Sequence, residues 1–350
     1  MSHPRRCRLY FRWDCVPTYI MPELRIDPIV GRRVYIAEDR AGRPNDYLGW
    51  DKVPPEVESA SPRVGLRPSL QVSACSFCAG NEVHTPVALA TVLDADGRWQ
   101  VRVVPNKYPA VIPDQEEHGA FGVHEVIIES PEHLLSVTQL SVAELTTVLG
   151  VHRDRLRYWS AEPLLQHITL FKNSGFAAGA SLEHIHSQLV ALPYVPPAVQ
   201  AELDGAAAFA EIHSRCVFCD LLEREVQDGI RVVVRDDGYV AVCAFAPRQP
   251  YETWVLPERH AARFEAMGDR QIAGAANVLH QLLRRLEAAS PGVAYNLLLH
   301  TAPYQVAEEE YHWHWELVPR LTHEAGLEWG GGVYITPLSP ERAAAELRLV

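Results

Sequence analysis

The sequence predicts an α+β fold built from two halves of similar construction. One order of motifs occurs twice along the 350 residues, and hydrophobic strand-like segments are bounded by Pro and Gly. Each half contains a Cys-x-x-Cys pair, a strand, a second strand ending in a Pro-Glu turn and a histidine, a helix, and a strand with His-x-His. We therefore expect two sheets of similar build, each with one face covered by a helix.

The first half starts its pattern at Cys75-Ser-Phe-Cys78. Two strand-like segments follow, at 99–104 and 124–133, and the second ends at a histidine. Apolar residues at three- and four-residue intervals predict a helix over 142–156. The half closes with His184-Ile-His186.

The second half repeats this order with different loop lengths. Its elements are Cys216-Val-Phe-Cys219, strands at 230–235 and 251–260, a helix at 271–286 and His312-Trp-His314. His133 precedes His184 by 51 positions, and His260 precedes His312 by 52. This agreement indicates an internal duplication, because insertions in loops account for the distances that differ.

The chain divides into three parts. Residues 1–20 carry scattered arginines and aromatics and read as a loose N-terminal extension. We expect an N-terminal catalytic domain over 21–200 and a C-terminal domain over 201–350, with a Pro-rich connection near 192–197.

Composition excludes several classes of function. A formal charge of −12, from 32 basic and 44 acidic side chains, supplies no broad cationic surface for nucleic acid or anionic lipid. No stretch reaches the roughly 20 apolar residues of a membrane helix, and the N-terminus has no signal-peptide core. We therefore expect a cytoplasmic protein, without nucleic-acid or membrane partners, that holds any nucleotide in a local pocket.

The two Cys-x-x-Cys pairs and the repeated histidines predict two closed structural zinc sites. In a reducing compartment such pairs more often bind metal or act as redox dithiols than form structural disulfides. The predicted ligand sets are Cys75, Cys78, His133 and His184 for the first site, and Cys216, Cys219, His260 and His312 for the second. In the alternative interpretation, His133 and His260 only cap turns.

The segment from His184 to Gln188 is the strongest candidate for catalysis. It follows the small residues of 175–181, whose backbone can approach a phosphate closely. In an extended strand His184, His186 and Gln188 would share one face, and a neutral imidazole is a competent nucleophile towards phosphorus. The alternative is that His186 and Gln188 are simply buried polar residues of a strand.

Taken together, the motifs resemble the galactose-1-phosphate uridylyltransferase family of the histidine triad superfamily, including its ADP-glucose phosphorylase-like branch. In chain order they are Arg25-Ile-Asp-Pro28, Arg40-Ala-Gly-Arg-Pro44, Cys75-Ser-Phe-Cys78-Ala-Gly-Asn-Glu82, Val104-Pro-Asn-Lys-Tyr-Pro109, Asn173, His184-Ile-His-Ser-Gln188 and Leu327-Glu-Trp-Gly-Gly-Gly-Val-Tyr-Ile-Thr336. The resemblance implies two histidine-triad-like domains, each an antiparallel sheet with flanking helices. It also implies a homodimer.

The resemblance further implies a two-step transfer of a nucleoside monophosphate through a covalent nucleotidyl-His186, with His184 as a zinc ligand. Gln188 would donate a hydrogen bond to a phosphoryl oxygen, and because it cannot deliver a proton it favours a transferase over a hydrolase. The substrate-binding residues that we carry over or expect are Arg40, Arg43, Phe77, Asn106, Tyr108, Asn173, Ser181 and Glu328. The substrates would be a nucleoside-diphosphate sugar with a sugar 1-phosphate or inorganic phosphate.

The second half offers a rival nucleophile, His314. It follows three consecutive carboxylates, Glu308–Glu310, which would repel a phosphate, and it is flanked by the bulky Trp313 and Trp315. We therefore expect this half to have lost catalysis and to serve as a scaffold that holds the second zinc.

The leading functional hypothesis is transfer of uridylyl from UDP-hexose to hexose 1-phosphate, and the close alternative is an ADP-sugar phosphorylase that uses the same histidine. Well-known family members carry Asp in place of Lys107, and the C-terminal segment here lacks a hexose-binding glutamine. A nucleotide hydrolase and a non-catalytic zinc protein are the remaining hypotheses.

Overall fold

The computed structural model describes residues 22–42, 75–113 and 120–350. The predicted extension 1–20 and Arg43 lie outside them. The strands are β1 (Glu23–Ile26), β2 (Arg33–Ile36), β3 (Ala90–Leu93), β4 (Trp99–Pro105), β5 (Val123–Ile128), β6 (His167–Ser174), β7 (His186–Leu192), β8 (Val232–Asp236), β9 (Tyr239–Cys243), β10 (Thr253–Pro257), β11 (Tyr295–His300), β12 (His314–Pro319) and β13 (Val333–Thr336).

Ten of these strands form one antiparallel sheet. Its order is β3-β4-β5-β7-β6-β11-β12-β10-β9-β8. The five strands from each half follow the same topology. Read from its outer edge, the first half has the order β3-β4-β5-β7-β6 and the second has β8-β9-β10-β12-β11, so in both the fifth strand lies between the third and the fourth. The sequence predicted two sheets; the halves instead lie side by side, joined by the antiparallel pairing of β6 with β11.

The helices are α1 (Val142–Trp159), α2 (Pro197–His213), α3 (Val217–Asp228), α4 (Asp269–Ala289), α5 (Gly326–Gly331) and α6 (Pro340–Leu349). The predicted α+β class and the helices at 142–156 and 271–286 are therefore confirmed. α1 begins where Ser141 and Glu144 form a capping box. α1 and α4 pack against each other and cover one face of the sheet, where most of the apolar core lies.

A second, three-stranded sheet pairs β1 with β2 and β2 with β13. It brings the start of the described chain beside its C-terminal part, and Arg25 ties the two together through hydrogen bonds to Glu341. Among the helices of the described residues, none is long and apolar enough to cross a membrane.

The structure differs from the sequence predictions at two further places. The strand with the first His-x-His pair begins at His186, because His184 lies in a bend just before it. Helices α2 and α3 occupy 197–213 and 217–228, where the sequence indicated only a Pro-rich connection and a Cys-x-x-Cys motif. Pro197 occupies the first turn of α2, where a missing backbone N–H costs nothing.

Candidate functional site

The four residues predicted for the first metal site come together in the structure. Their ligand atoms all lie within 4.8 Å of one another. The Cys75 Sγ and Cys78 Sγ atoms each lie 3.6 Å from His184 Nδ1, and Cys78 Sγ lies 3.4 Å from His133 Nδ1. The segment before β3 supplies the two cysteines, the loop after β5 supplies His133, and the bend before β7 supplies His184.

Hydrogen bonding directs the lone pair of His184 into this cluster. His184 Nε2 donates to the backbone oxygen of Ser130 at 2.9 Å, so Nδ1 is the unprotonated nitrogen. Burial lowers the pKa of His184 to about 4, which keeps the ring neutral. Both conditions are those that a metal ligand requires.

The second predicted set has the same construction. Cys219 Sγ lies 3.3 Å from His260 Nδ1 and 3.5 Å from His312 Nδ1, and Cys216 completes the group. The Nε2 atoms of the two histidines face backbone oxygens, Glu308 O at 2.8 Å and Pro257 O at 3.0 Å. The internal duplication therefore extends to the orientation of the histidine rings.

These donor sets fit a tetrahedral ion. Bonds of about 2.3 Å to sulfur and about 2.0–2.1 Å to nitrogen place tetrahedral ligands roughly 3.3–3.8 Å apart. The recorded sulfur–nitrogen distances of 3.3–3.6 Å fall in that range. Each set supplies four protein donors, so a bound ion would have a closed coordination shell.

A third group of metal-ligating type, which the sequence analysis did not identify, lies in the second half. It consists of Glu202, His300 and His314, whose ligand atoms also lie within 4.8 Å of one another. Glu202 is already hydrogen-bonded to His300 at 3.0 Å and to Tyr311. His314 Nδ1 faces His312 O at 3.1 Å, while its buried Nε2 has no hydrogen-bond partner among the described residues.

His186 lies at the start of β7 and is 7% exposed. Its Nδ1 donates to the backbone oxygen of His184 at 2.8 Å, so the lone pair is on Nε2. Burial, and then the charge of Lys172, lower the pKa of His186 and favour the neutral ring. Phe77 packs edge-on against it at 5.4 Å between ring centroids and against His184 at 5.9 Å.

Gln188 is held by a residue that the sequence analysis missed, His124. The N–H of Ala110 donates to His124 Nδ1 at 3.1 Å, so Nε2 carries the proton and donates to Gln188 Oε1 at 2.9 Å. Asn106 Nδ2 points at the same oxygen from 3.5 Å. With Oε1 engaged as an acceptor, the Gln188 amide keeps its NH₂ as the group available to a substrate.

Asn173 and the small-residue loop meet at the junction of the halves. Asn296 Nδ2 donates to Asn173 Oδ1 at 2.8 Å and to the backbone oxygen of Ala178 at 2.9 Å. Gly175 requires a positive φ of 82°, and a Cβ there would lie 2.8 Å from the Cβ of Ala294. A glycine is therefore required where the loop passes against the second half.

The structure places the other predicted binding residues as follows. Ser181 is exposed in the loop before His184, and Tyr108 is 82% exposed two positions after Asn106. Arg40 is exposed in a 3-10 helix after β2, and Glu328 accepts a hydrogen bond from the Ala325 N–H that caps its own helix. No recorded contact brings either of the last two to His186.

Comparisons with known proteins give a consistent result. A protein-family model described as "Galactose-1-phosphate uridyl transferase, N-terminal domain" matches residues 17–196, and a domain of unknown function, DUF4921, matches 122–348. The chain is 33% identical over 344 residues to ADP-glucose phosphorylase of Arabidopsis thaliana, covering 94% of this chain and 93% of the relative. It is 25% identical to galactose-1-phosphate uridylyltransferase of Thermotoga maritima, covering 83% and 93%.

Solved structures agree with the sequence matches. The crystal structure of the Arabidopsis thaliana ADP-glucose phosphorylase with bound ADP-glucose superposes with a TM-score of 0.81 at 31% identity, covering 94% of this chain and 99% of that one. A uridylyltransferase structure gives a TM-score of 0.70 at 27% identity, covering 94% and 98%. The chain therefore belongs to the galactose-1-phosphate uridylyltransferase family of the histidine triad superfamily and is an enzyme of the nucleotidyltransferase class.

Proposed function

We propose that this enzyme transfers a nucleoside monophosphate from a nucleoside-diphosphate sugar through a covalent intermediate on His186 Nε2. The observation that carries the proposal is the hydrogen bond from His186 Nδ1 to the His184 backbone oxygen, 2.8 Å long. This bond leaves the lone pair of the neutral imidazole on Nε2, and the ring lies next to Phe77. The same carbonyl dipole would stabilise the positive charge that the ring gains when it bonds to phosphorus.

The reaction has two displacements. In the first, Nε2 attacks the α-phosphorus, an N–P bond forms, and the bond to the bridging oxygen breaks to release the sugar 1-phosphate. In the second, an acceptor oxygen attacks the same phosphorus and the N–P bond breaks. The sugar phosphate is a stable anion, so the leaving group needs no strong general acid. Gln188 and Asn173 would donate their NH₂ groups to the phosphoryl oxygens in both steps.

ADP-glucose with inorganic phosphate as acceptor is the first candidate among substrate pairs. The supporting observation is the 33% identity with a protein named ADP-glucose phosphorylase, over 94% of this chain, against 25% identity with a named uridylyltransferase over 83%. This reverses the order of the two sequence-based hypotheses. The N-terminal family match to a uridylyltransferase keeps UDP-hexose with hexose 1-phosphate as the second candidate.

The two Cys2His2 clusters are proposed to bind zinc. The mixture of thiolate and imidazole donors and the tetrahedral spacing support this choice of metal. A bound ion would have a structural role, because four protein ligands leave no coordination position open for water or substrate. The first ion would tie the Cys75 loop to the bend that precedes the His186 strand.

We propose that the second half does not catalyse transfer. His314 corresponds to His186, but it faces the buried carboxylates of Glu202 and Glu316. These carboxylates are paired with His300 and Arg248, so the main obstacle is burial. His314 has no exposed surface on which a phosphate could approach, and its ring stacks on His300 at 4.9 Å between centroids. The sequence-based argument invoked Glu308–Glu310 instead, which form an exposed 3-10 helix.

A homodimer is part of the proposal. The three-stranded sheet exposes Leu24, Ile26 and Tyr35 on one side, at 45%, 50% and 39% of their surface. Such an apolar face suits a second copy of the chain. Sedimentation equilibrium should return twice the chain mass, and a monomer mass would contradict the proposal.

The function is tested by trapping the intermediate. The enzyme is mixed with labelled ADP-glucose or UDP-glucose without acceptor, quenched at alkaline pH, and digested for mass spectrometry. We expect adenylylation of the peptide that contains His186, with about one glucose 1-phosphate released per active site. Uridylylation alone would replace the first candidate by the second.

His186→Gly provides the control. It should form no adduct, and added imidazole should restore transfer because it occupies the vacated position. Product that accumulates without any adduct on the unmodified enzyme would overturn the covalent mechanism. Free nucleoside monophosphate as the main product would indicate a hydrolase.

A further inference from the structure

A buried ion pair lies beneath the strand that carries His186, on the side of the sheet that the helices cover. Lys172 Nζ of β6 is 2.6 Å from Glu129 Oε2, and the two side chains are only 4% and 2% exposed. Ser187 donates a hydrogen bond from Oγ to the other oxygen of Glu129. The pair belongs to neither metal cluster, and the proposed chemistry does not use it.

The same ammonium group contacts the candidate nucleophile. Lys172 Nζ donates a second hydrogen bond, 2.9 Å long, to the backbone oxygen of His186. The recorded pairing of β6 with β7 begins at Phe171 and Gln188, so His186 lies beyond that ladder. The Lys172 ammonium group therefore gives the backbone oxygen of His186 the hydrogen bond that a backbone N–H of β6 would otherwise donate.

The duplicated half shows that the fold does not require this arrangement. There, Leu299 of β11 lies directly opposite Trp315 of β12, one position beyond the pair of Leu298 and Glu316. These two apolar residues take the places of Lys172 and Ser187. Burying two charges costs desolvation free energy that an apolar pair avoids. The charged arrangement is thus present in the half with the candidate nucleophile and replaced in the other.

We propose that Lys172 and Glu129 act as a positioning pair that fixes the backbone of His186, so that its ring points at the α-phosphorus. This inference rests on the proposed function of His186. The ring is oriented by the His184 carbonyl, two residues earlier, and the ammonium group anchors the backbone carbonyl of His186 itself. A shift of about 1 Å in such a group costs on the order of 100-fold in rate.

The test compares variants in single turnover. Lys172→Met with Glu129→Gln removes both charges together, which avoids leaving one of them buried and unpaired. We expect the rate of His186 adduct formation to fall roughly 10- to 100-fold, with the dissociation constant of the nucleotide sugar changed by less than about threefold. Lys172→Arg keeps the cation and should stay within about fivefold of the unmodified rate.

Imidazole rescue separates positioning from a general effect on the fold. In His186→Gly the attacking imidazole is free and is not held by the strand. Adding Lys172→Met and Glu129→Gln to His186→Gly should leave the imidazole-rescued rate within about twofold of that of His186→Gly alone. If the two substitutions lower the rescued rate by the same factor as they lower the rate of His186 adduct formation, the inference is wrong. Ser187→Ala, which loosens Glu129 without unpairing a charge, should slow adduct formation about threefold and serves if the double variant does not fold.

The outcomes distinguish this inference from the proposed function. If the double variant forms the adduct at the unmodified rate, the positioning role is wrong and the covalent mechanism stands. If the unmodified enzyme forms no adduct at all, the covalent mechanism is wrong and the positioning role falls with it.

Discussion

Asn296 of the second half holds Asn173 of the first half through a 2.8 Å hydrogen bond across paired strands. The bond engages Asn173 Oδ1 as an acceptor, and this leaves Asn173 Nδ2 as the group directed to other partners. The same Asn296 amide also anchors the small-residue loop at Ala178. A residue of the second half, which we propose to be non-catalytic, therefore holds a predicted substrate-binding residue of the first half.

Asn296→Ala should slow adduct formation about tenfold, which corresponds to about 1.4 kcal/mol of transition-state stabilisation. The reason is that the Asn173 amide becomes free to rotate away from the phosphoryl group. Single-turnover measurements with the nucleotide sugar check this. Asn277→Ala is a matched control, because Asn277 on α4 bonds only to Asp236, Asp237 and Gln281 among its recorded partners. An equal loss in both variants would contradict the orienting role.

Elemental analysis should find about two zinc ions per chain. Cys78→Ser and Cys219→Ser should each reduce the content by one, since each removes a thiolate from a different cluster. Cys243→Ser is the control, because this buried cysteine contacts Thr253 and belongs to neither cluster. Unchanged metal content in Cys78→Ser would show that the first cluster is not the binding site.

His124→Leu should lower the rate of adduct formation about tenfold, because Gln188 loses the donor that fixes its amide. His124→Gln retains an N–H donor and should recover most of the rate. The dissociation constant of the nucleotide sugar should change little in either variant. A change confined to binding would instead place His124 in the substrate pocket.

His152 should make the protein sensitive to acid. Burial lowers the pKa of His152 to about 4, although Glu129 nearby raises it and Lys172 lowers it further. As pH falls from 6.5 towards 4, the unfolded chain binds a proton at this residue before the folded protein does, so stability decreases.

Urea unfolding of the unmodified protein and of His152→Leu tests this. Between pH 7.5 and pH 5, the unmodified protein should lose about 2 kcal/mol more free energy of unfolding than the variant. The comparison of two pH values cancels the change in packing that the substitution causes. Equal losses would show that His152 is not a source of acid sensitivity.

The local patterns of the sequence predicted much of this architecture. Helices α1 and α4 follow from apolar periodicity, and both Cys2His2 clusters follow from repeated spacing. The roles of His124 and Asn296 were not predicted, because their hydrogen-bond partners lie 64 and 123 positions away in the chain. Such contacts depend on which strands become neighbours, and that is not encoded in the spacing of residues within one segment.

Helix α2 was missed for a different reason. Its start, Pro196-Pro197, reads as a linker when taken alone, yet proline suits the first turn of a helix. Its buried residues, Val199, Glu202 and Ala206, lie at three- and four-residue intervals that include a carboxylate. A charged residue on the buried side hides the apolar pattern.

The pairing of β6 with β11 limits how this protein can be taken apart. If the chain were divided between the halves, each fragment would have an unpaired strand, β6 or β11, at the edge of its sheet. The N–H and C=O groups of that strand could then pair with any other chain. Exposed edges of that kind promote aggregation. Expression of either half alone should therefore give insoluble material, whereas co-expression should restore solubility because β6 can again pair with β11.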